Sequence, residues 1–141
     1  MGDAAPHELP APSNIPKDTN WEIKFYQNIL SRSPNYVEVL MVLGNLYTGS
    51  KMYAKGLEVD QRLASLKKDD PVVQYNLACS YALLNQANEA FAALNKAAEL
   101  GYRDVDHMNN DPDLDKIRSD PRYAEAVAGM CRSKEHSHPE C

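Results

Sequence analysis

Residues 75–100, YNLACSYALLNQANEAFAALNKAAEL, decide the fold of this chain. Leucine, alanine and tyrosine recur there at helical spacing, and Asn-Gln at residues 85–86 supplies a turn signal between two periodic segments. Apolar residues three or four positions apart share one face of a helix, so the stretch predicts two packed helices. It offers no acid–base pair and no phosphate-binding loop. We therefore interpret it as a structural building block and expect a second copy nearby.

The second copy lies 34 residues earlier in the chain. Small residues coincide at this shift, because Gly44 falls on Ala78 and Gly56 falls on Ala90. The identical pairs are Val39 and Val73, Leu43 and Leu77, Tyr47 and Tyr81, Ala64 and Ala98, and Leu66 and Leu100. A period of about 34 residues that contains two helices is typical of a helical repeat array.

The two copies resemble the tetratricopeptide repeat family. The pattern of its first helix is matched by Leu43-Gly44 with Tyr47, and by Leu77-Ala78 with Tyr81. The pattern of its second helix is matched by Ala90, Leu94 and Ala97, whereas the first copy has Gly56, Asp60 and Leu63. The departures at Asp60 and Leu63 predict looser packing there. The resemblance implies an all-α fold in which antiparallel helix-turn-helix pairs stack as a short right-handed superhelix.

The domain organisation follows from these repeats and from their flanks. We predict a Pro-rich extended arm at residues 1–20, a helical domain at 21–131 and a polar tail at 132–141. The domain divides into a half-repeat at 21–34, repeats at 35–70 and 71–104, and capping helices at 105–131. Asn35 with Glu38 resembles a capping box, and Asp70 before a proline predicts a second helix start. Gly101 predicts a helix end.

Composition excludes several classes of function. The 141 residues include 15 basic and 20 acidic side chains, a net charge of −5, which argues against nucleic-acid binding. No apolar run reaches the roughly 20 residues that cross a bilayer, so we expect no membrane insertion. The three cysteines are an odd number, which does not suggest a disulfide framework, and we expect a cytoplasmic protein. We also expect no enzyme activity and no cofactor.

The resemblance implies a concave groove lined by the first helix of each pair. Family members that bind C-terminal carboxylates hold them with two asparagines, which Asn45 and Asn76 match, and with three basic residues. At those three positions this chain has Met41, Asp106 and Asn110. We therefore expect a groove that binds a peptide segment of another protein. Tyr75 is expected to face this groove, unlike Leu77. The candidate partner-binding residues are Met41, Asn45, Tyr75, Asn76, Cys79 and Leu83.

Two alternatives remain open. The segment at 21–32 carries apolar residues on more than one face, so Trp21, Phe25 and Ile29 are candidates for self-association or for assembly with another subunit. The tail offers a metal- or thiol-handling alternative, because thiols and imidazoles are zinc ligands. Its candidate ligands are Cys131, His136, His138 and Cys141. Asp111 and Asp113 are better explained by helix capping than by calcium binding.

Overall fold

The computed structural model describes residues 19–132, and all regular structure in this range is helical. The elements are α1 Thr19–Arg32, α2 Val37–Gly49, α3 Tyr53–Leu66, α4 Pro71–Leu83, α5 Ala87–Glu99, α6 Val105–Asn109, a 3-10 helix Pro112–Ile117 and α7 Pro121–Arg132. Most of the predicted arm and nearly all of the predicted tail lie outside the described residues.

The helices pack in consecutive pairs. The most extensive packing joins α4 to α5 and α2 to α3, while α1 packs on α2 and α3 packs on α4. The 3-10 helix packs on α4 and α7 packs on α5, so α6 with the 3-10 helix takes the place of the first helix of a third pair. The predicted all-α fold of stacked helix pairs is confirmed.

The 34-residue period recurs in tertiary hydrogen bonds. Gln27 donates from Nε2 to the hydroxyl of Tyr47 at 2.7 Å. In the following repeat, Gln61 donates from Nε2 to the hydroxyl of Tyr81 at 3.3 Å. Both bonds join the second helix of one pair to the first helix of the next pair. The two matched tyrosines therefore fix how successive pairs stack.

Small residues allow the helices of a pair to approach closely. A Cβ atom on Gly56 would lie 3.1 Å from Thr48 Oγ1, and one on Gly44 would lie 3.3 Å from Asp60 Oδ1. Ala78 and Ala90 are fully buried at the matching positions of the second repeat. The largest fully buried side chains are Leu94, Val105, Met108, Leu114 and Met130. The capping region after residue 104 therefore contributes much of the core.

Three of the helix ends have the expected chemistry. Asp70 accepts hydrogen bonds from the backbone N–H groups of residues 72 and 73 at the start of α4. Asp111 caps the 3-10 helix in the same way, since its Oδ1 accepts from the N–H of Asp113 at 3.0 Å. Gly101 follows α5 with a φ of 111°, a conformation that side chains with a Cβ rarely adopt.

The expected capping box at the start of α2 is wrong. The N-cap residue is Tyr36, and no side chain caps this helix. Asn35 instead accepts a hydrogen bond at 2.8 Å from Nη2 of Arg62 on α3, whose Nε donates to the carbonyl oxygen of Pro34 at 3.1 Å. Asn35 therefore stabilises the link between two helices, and Glu38 stays exposed to solvent.

Candidate peptide-binding surface

The inner surface is defined here as the side of the domain formed by α2, α4 and the 3-10 helix. Four of the six candidate residues lie together on it. Asn45 from α2 lines the same small cavity as Asn76, Cys79 and Leu83 from α4. Met41 lies one helical turn before Asn45 and is 39% exposed, outside this cavity.

The expectation that Tyr75 faces an open groove is wrong. Only 3% of Tyr75 is exposed, because α6 and the 3-10 helix fold back over this part of α4. Its ring stacks on Tyr102 with centroids 4.5 Å apart, and its hydroxyl donates to Asp111 Oδ2 at 2.6 Å. Burial, the nearby Cys79 and the hydrogen bond to Asp111 raise the pKa of Tyr75. Tyr75 therefore holds the capping region in place and offers little surface to a partner.

Cys79 is also buried, against the same carboxylate. Its thiol donates to Asp111 Oδ2 at an Sγ–O distance of 3.7 Å. Burial and the negative charges of Asp111 and Asp113 raise the pKa of this thiol. Since the thiolate is the nucleophilic form of cysteine, Cys79 is unsuited to nucleophilic chemistry at neutral pH.

Cys79, Asp111 and Asp113 have potential metal-ligand atoms within 4.8 Å of one another. The Asp111 carboxylate is already occupied, because Oδ2 accepts from Tyr75 and Cys79 and lies 3.3 Å from His107 Nε2. Its Oδ1 accepts from the backbone of Asp113. A carboxylate offers about four acceptor sites, so Asp111 has little capacity left for a metal ion. The cluster is better explained by packing of the capping region.

The cavity on the inner surface has a volume of about 50 Å³ and a polar lining. Its lining includes Asp60 from α3, Ser80 from α4 and Asp113 from the 3-10 helix, none of which the sequence analysis assigned to the groove. Asp60 is only 8% exposed, and its Oδ2 accepts from the hydroxyl of Ser80 at 2.5 Å. The structure therefore places two carboxylates where we expected amide and apolar groups alone.

The position of Asp60 in the repeat explains the cavity. Asp60 corresponds to Leu94 in the second repeat, a leucine that is fully buried. An aspartate is shorter than leucine and is polar, so in the first repeat it leaves space next to Gly44. In the second repeat, the leucine fills the corresponding space. The sequence signal was the departure from the family pattern at Asp60, which indicated looser packing but not a polar cavity.

Burial raises the pKa of Asp60 to about 6, and the hydrogen bond from Ser80 opposes this effect. Burial and the charge of Asp111 also raise the pKa of Asp113. No lysine, arginine or histidine is among the described residues that line the cavity. The cavity therefore has an acidic lining. The charge of His107 opposes the rise in the pKa of Asp113, and the ammonium of Lys116 donates to the carbonyl oxygen of Leu83 at 3.2 Å, at the edge of the cavity.

The side chains of Asn45 and Asn76 make no hydrogen bond to residues 19–132, whereas Asn35, Asn88, Asn109 and Asn110 are all engaged. Asn45 is exposed and Asn76 is partly buried at the cavity. An amide offers both donors and an acceptor, so these two side chains can bind an extended peptide backbone.

The first helix presents a second surface. Ile23 is the buried residue of α1, and Tyr26 and Leu30 pack against the buried cluster that Ile23 forms with α2 and α3. Trp21 is 42% exposed, and its ring stacks on Phe25 with centroids 5.4 Å apart. The apolar residues proposed for self-association are thus on a different side of α1 from those that contact α2.

The remaining candidate residues are the four predicted metal ligands near the C-terminus. Cys131 is partly buried against the core cluster that includes Met130, and its sulfur is in a disulfide bond, so it is not available as a metal ligand in this state. His136, His138 and Cys141 lie outside the described residues. The metal- or thiol-handling alternative for the tail therefore stays a prediction. None of the helices between residues 19 and 132 is both long enough and apolar enough to cross a membrane.

Comparisons with known proteins support the fold. No protein-family model matches this chain. The chain is 32% identical over 78 residues to a chloroplastic protein of Arabidopsis thaliana; the match covers 53% of this chain and 23% of that protein. A solved structure of MamA (MamA MSR-1 C2), a protein with tetratricopeptide repeats, matches with a TM-score of 0.54 and 15% identity. It covers 82% of this chain and 70% of the MamA chain. The chain therefore has the tetratricopeptide-type fold.

Proposed function

We propose that this protein is a non-catalytic interaction scaffold that binds a peptide segment of a partner protein on its inner surface. Stacked helical repeats create extended surfaces that serve this purpose. The observation that carries the proposal is the pair of asparagines, Asn45 and Asn76, whose amides line a cavity on this surface without hydrogen-bond partners in the described chain.

The occupant that this surface fits best is an extended segment. The two amides can pair with the backbone of a peptide, and the exposed thioether of Met41 can adapt to side chains of different shapes. We do not expect Tyr75 and Cys79 to contact the partner, because both are buried under the capping region. We expect an affinity in the micromolar range, which corresponds to about −8 kcal/mol.

The proposal can be tested with a displayed library of random peptides selected on the full chain. Enriched peptides would then be measured by calorimetry against a variant that combines Asn45→Ala with Asn76→Ala. The matched control combines Asn28→Ala with Asn95→Ala, since both asparagines are exposed and lie outside the inner surface. Loss of binding in the first variant alone supports the proposal. Equal binding by both variants, or loss only in the control, would place the working surface elsewhere.

A second candidate function is assembly through α1. The stacked and partly exposed pair of Trp21 and Phe25, with Ile29 one turn further on, is an apolar face of the kind that buries itself against a partner. Light scattering over a wide concentration range would reveal self-association. The variant Phe25→Glu should then abolish any rise in mass with concentration, whereas Lys24→Glu on the same helix should not.

A cytoplasmic location is part of the same proposal. The buried thiol of Cys79 is free, which agrees with a reducing compartment, whereas Cys131 forms a disulfide bond, which favours an oxidising one. The relative from Arabidopsis is described as chloroplastic, so a plastid location is the relevant competing result. Imaging of a fluorescent fusion in the source cell distinguishes the two locations.

A further inference from the structure

We infer that the outer groove, defined here as the groove between α1 and α3 over one side of α2, is the docking site for this chain's own N-terminal segment, residues 3–15. The segment reads DAAPHELPAPSNI and lies outside the described residues. This inference goes beyond the proposed function, because it concerns a different side of the domain and an occupant that belongs to the chain itself.

The outer groove has a volume of about 460 Å³ and a largely aliphatic lining. Leu40 and Leu43 of α2 line it together with Leu30 of α1. Leu30 is only partly buried, and Pro34 at one end of the groove is exposed. The groove therefore leaves apolar surface in water, and a segment that contains a leucine and three prolines can cover it.

The segment is attached beside this groove, because residue 18 precedes the first residue of α1, Thr19. The C-terminal ends of α1 and α3 lie together, since Arg62 near the end of α3 bonds to Pro34 just after α1. The groove thus follows α1, which rises about 16 Å between Thr19 and Leu30 at roughly 1.5 Å per residue. An extended proline-rich chain spans about 3.1 Å per residue, so roughly six residues cover this distance. Residues 3–15 can therefore turn back at 16–18 and reach along the whole groove.

The groove presents hydrogen-bond donors that have no acceptor among residues 19–132. The hydroxyl of Tyr47 accepts from Gln27 at 2.7 Å but donates to no atom in this range. Two bonds, from Nε to Pro34 and from Nη2 to Asn35, hold the guanidinium of Arg62 in place and leave its Nη1 without an acceptor there. Proline lacks an N–H group, so the backbone of a proline-rich segment offers more acceptors than donors. Its carbonyl oxygens therefore match the donors of the groove.

The charges of the groove and of the segment are complementary. Lys55 and Arg62 line the groove with a single acidic residue, Glu58, although the whole chain has a net charge of −5. Lys55 makes no hydrogen bond or ion pair to residues 19–132. The segment carries two acidic residues and neither lysine nor arginine. In the second repeat Glu89 takes the place of Lys55, so this basic charge is specific to the groove beside α1.

The test is site-specific photocrosslinking in the full chain at low protein concentration. Leu9→p-benzoylphenylalanine places an apolar photoreactive group in the middle of the segment, and mass spectrometry of the digested product locates its contacts. We expect crosslinks to residues 25–34 or 55–62, in a product that has the mass of a single chain.

Charge variants make the assignment specific. Lys55→Glu should lower the crosslink yield about threefold, because an attraction to the acidic segment becomes a repulsion. Combining it with Glu8→Lys should restore the yield. Lys96→Glu on α5 is the matched control and should leave the yield unchanged, since Lys96 is also exposed but lies outside the groove. Circular dichroism should show the same helix content in all these variants.

Several results would overturn the inference. These are crosslinks to the inner surface around Val72 and Asn76, crosslinks found only in a product of twice the chain mass, and a yield no higher than that of the chain unfolded in urea. Equal yields from Lys55→Glu and Lys96→Glu, or no recovery with Glu8→Lys, would overturn it as well. The proposed function is not affected by any of these results, because it is tested separately through the two asparagines of the inner surface.

Discussion

Replacing Asp60 with asparagine should stabilise the protein at neutral pH. Burial raises the pKa of Asp60 to about 6 from its ordinary value of 3.8, so the folded state resists ionisation of this carboxyl group. Asparagine has nearly the same shape and its oxygen can still accept the hydrogen bond from Ser80. The substitution therefore removes a buried charge and keeps the contact.

The sign and size of the effect follow from proton linkage. A carboxyl whose pKa is higher in the folded state contributes most to stability below pH 3.8 and loses that contribution as the pH rises through about 6. Each pKa unit corresponds to about 1.4 kcal/mol, so the full loss at pH 7.5 is about 3 kcal/mol. Asp60→Asn should thus gain about 2–3 kcal/mol over the wild type at pH 7.5 and only about 0.5 kcal/mol near pH 4.

The titratable groups around Asp60 determine whether the pH dependence of stability can be assigned to this residue. On the inner surface, the titratable groups that share its cavity are Cys79 of α4, whose thiol stays protonated, and Asp113 of the 3-10 helix. Burial raises the pKa of Asp113 too, so its titration acts in the same direction. The difference between wild type and variant isolates the contribution of Asp60, because Asp113 is present in both.

The assay is urea unfolding, followed by circular dichroism, at half-unit steps from pH 4 to pH 8. Asp69→Asn is the matched control, and its stability difference from the wild type should be small and independent of pH because Asp69 is exposed. A stability difference for Asp60→Asn that is constant across this range would refute the reasoning. So would a variant that is less stable than the wild type at pH 7.5.

Three further predictions concern the fold. Tyr75→Ala and Leu77→Ala should both destabilise by roughly 2–5 kcal/mol in urea unfolding, because both side chains are buried; a near-neutral Tyr75→Ala would contradict the burial of this ring. Gly101→Ala should lower stability by about 1 kcal/mol or more through its positive φ, whereas Gly49→Ala at the end of α2 should not. Melting curves with and without EDTA should coincide, since hydrogen bonds already occupy the Asp111 carboxylate in the cluster with Cys79 and Asp113; a melting temperature lowered by EDTA would indicate a structural metal.

The fold could be predicted because its signals repeat. Leu43, Tyr47 and their counterparts at 77 and 81 occur twice at one spacing, and each occurrence supports the other. Local chemistry at Asp70 and Gly101 then marked a helix start and a helix end, as observed. The capping-box prediction was wrong because the Asn35 side chain accepts a hydrogen bond from Arg62 on α3, a partner that no local sequence pattern reveals.

The direction of Tyr75 could not be predicted from its own helix. Residue spacing separates Tyr75 from Leu77 around α4, but whether the side of Tyr75 is open depends on the path of the chain beyond α5. The chain after α5 places Tyr102 and Asp111 over it, at 27 and 36 residues further along the chain. Because the chain after Gly101 folds over α4, Tyr75 is a core residue and not the contact residue that we expected.

Asp60 and Leu94 occupy the same position in successive repeats but have opposite effects on stability. In the second repeat, a leucine at this position is fully buried and contributes to the core. In the first repeat, an aspartate leaves a polar cavity and, when ionised, lowers stability by about 3 kcal/mol. That is a large fraction of the roughly 5–15 kcal/mol that stabilises a typical domain. The first repeat therefore carries a destabilising side chain at a position where the second repeat gains core packing, and the stability gained by Asp60→Asn should be largest above about pH 6, where Asp60 is ionised.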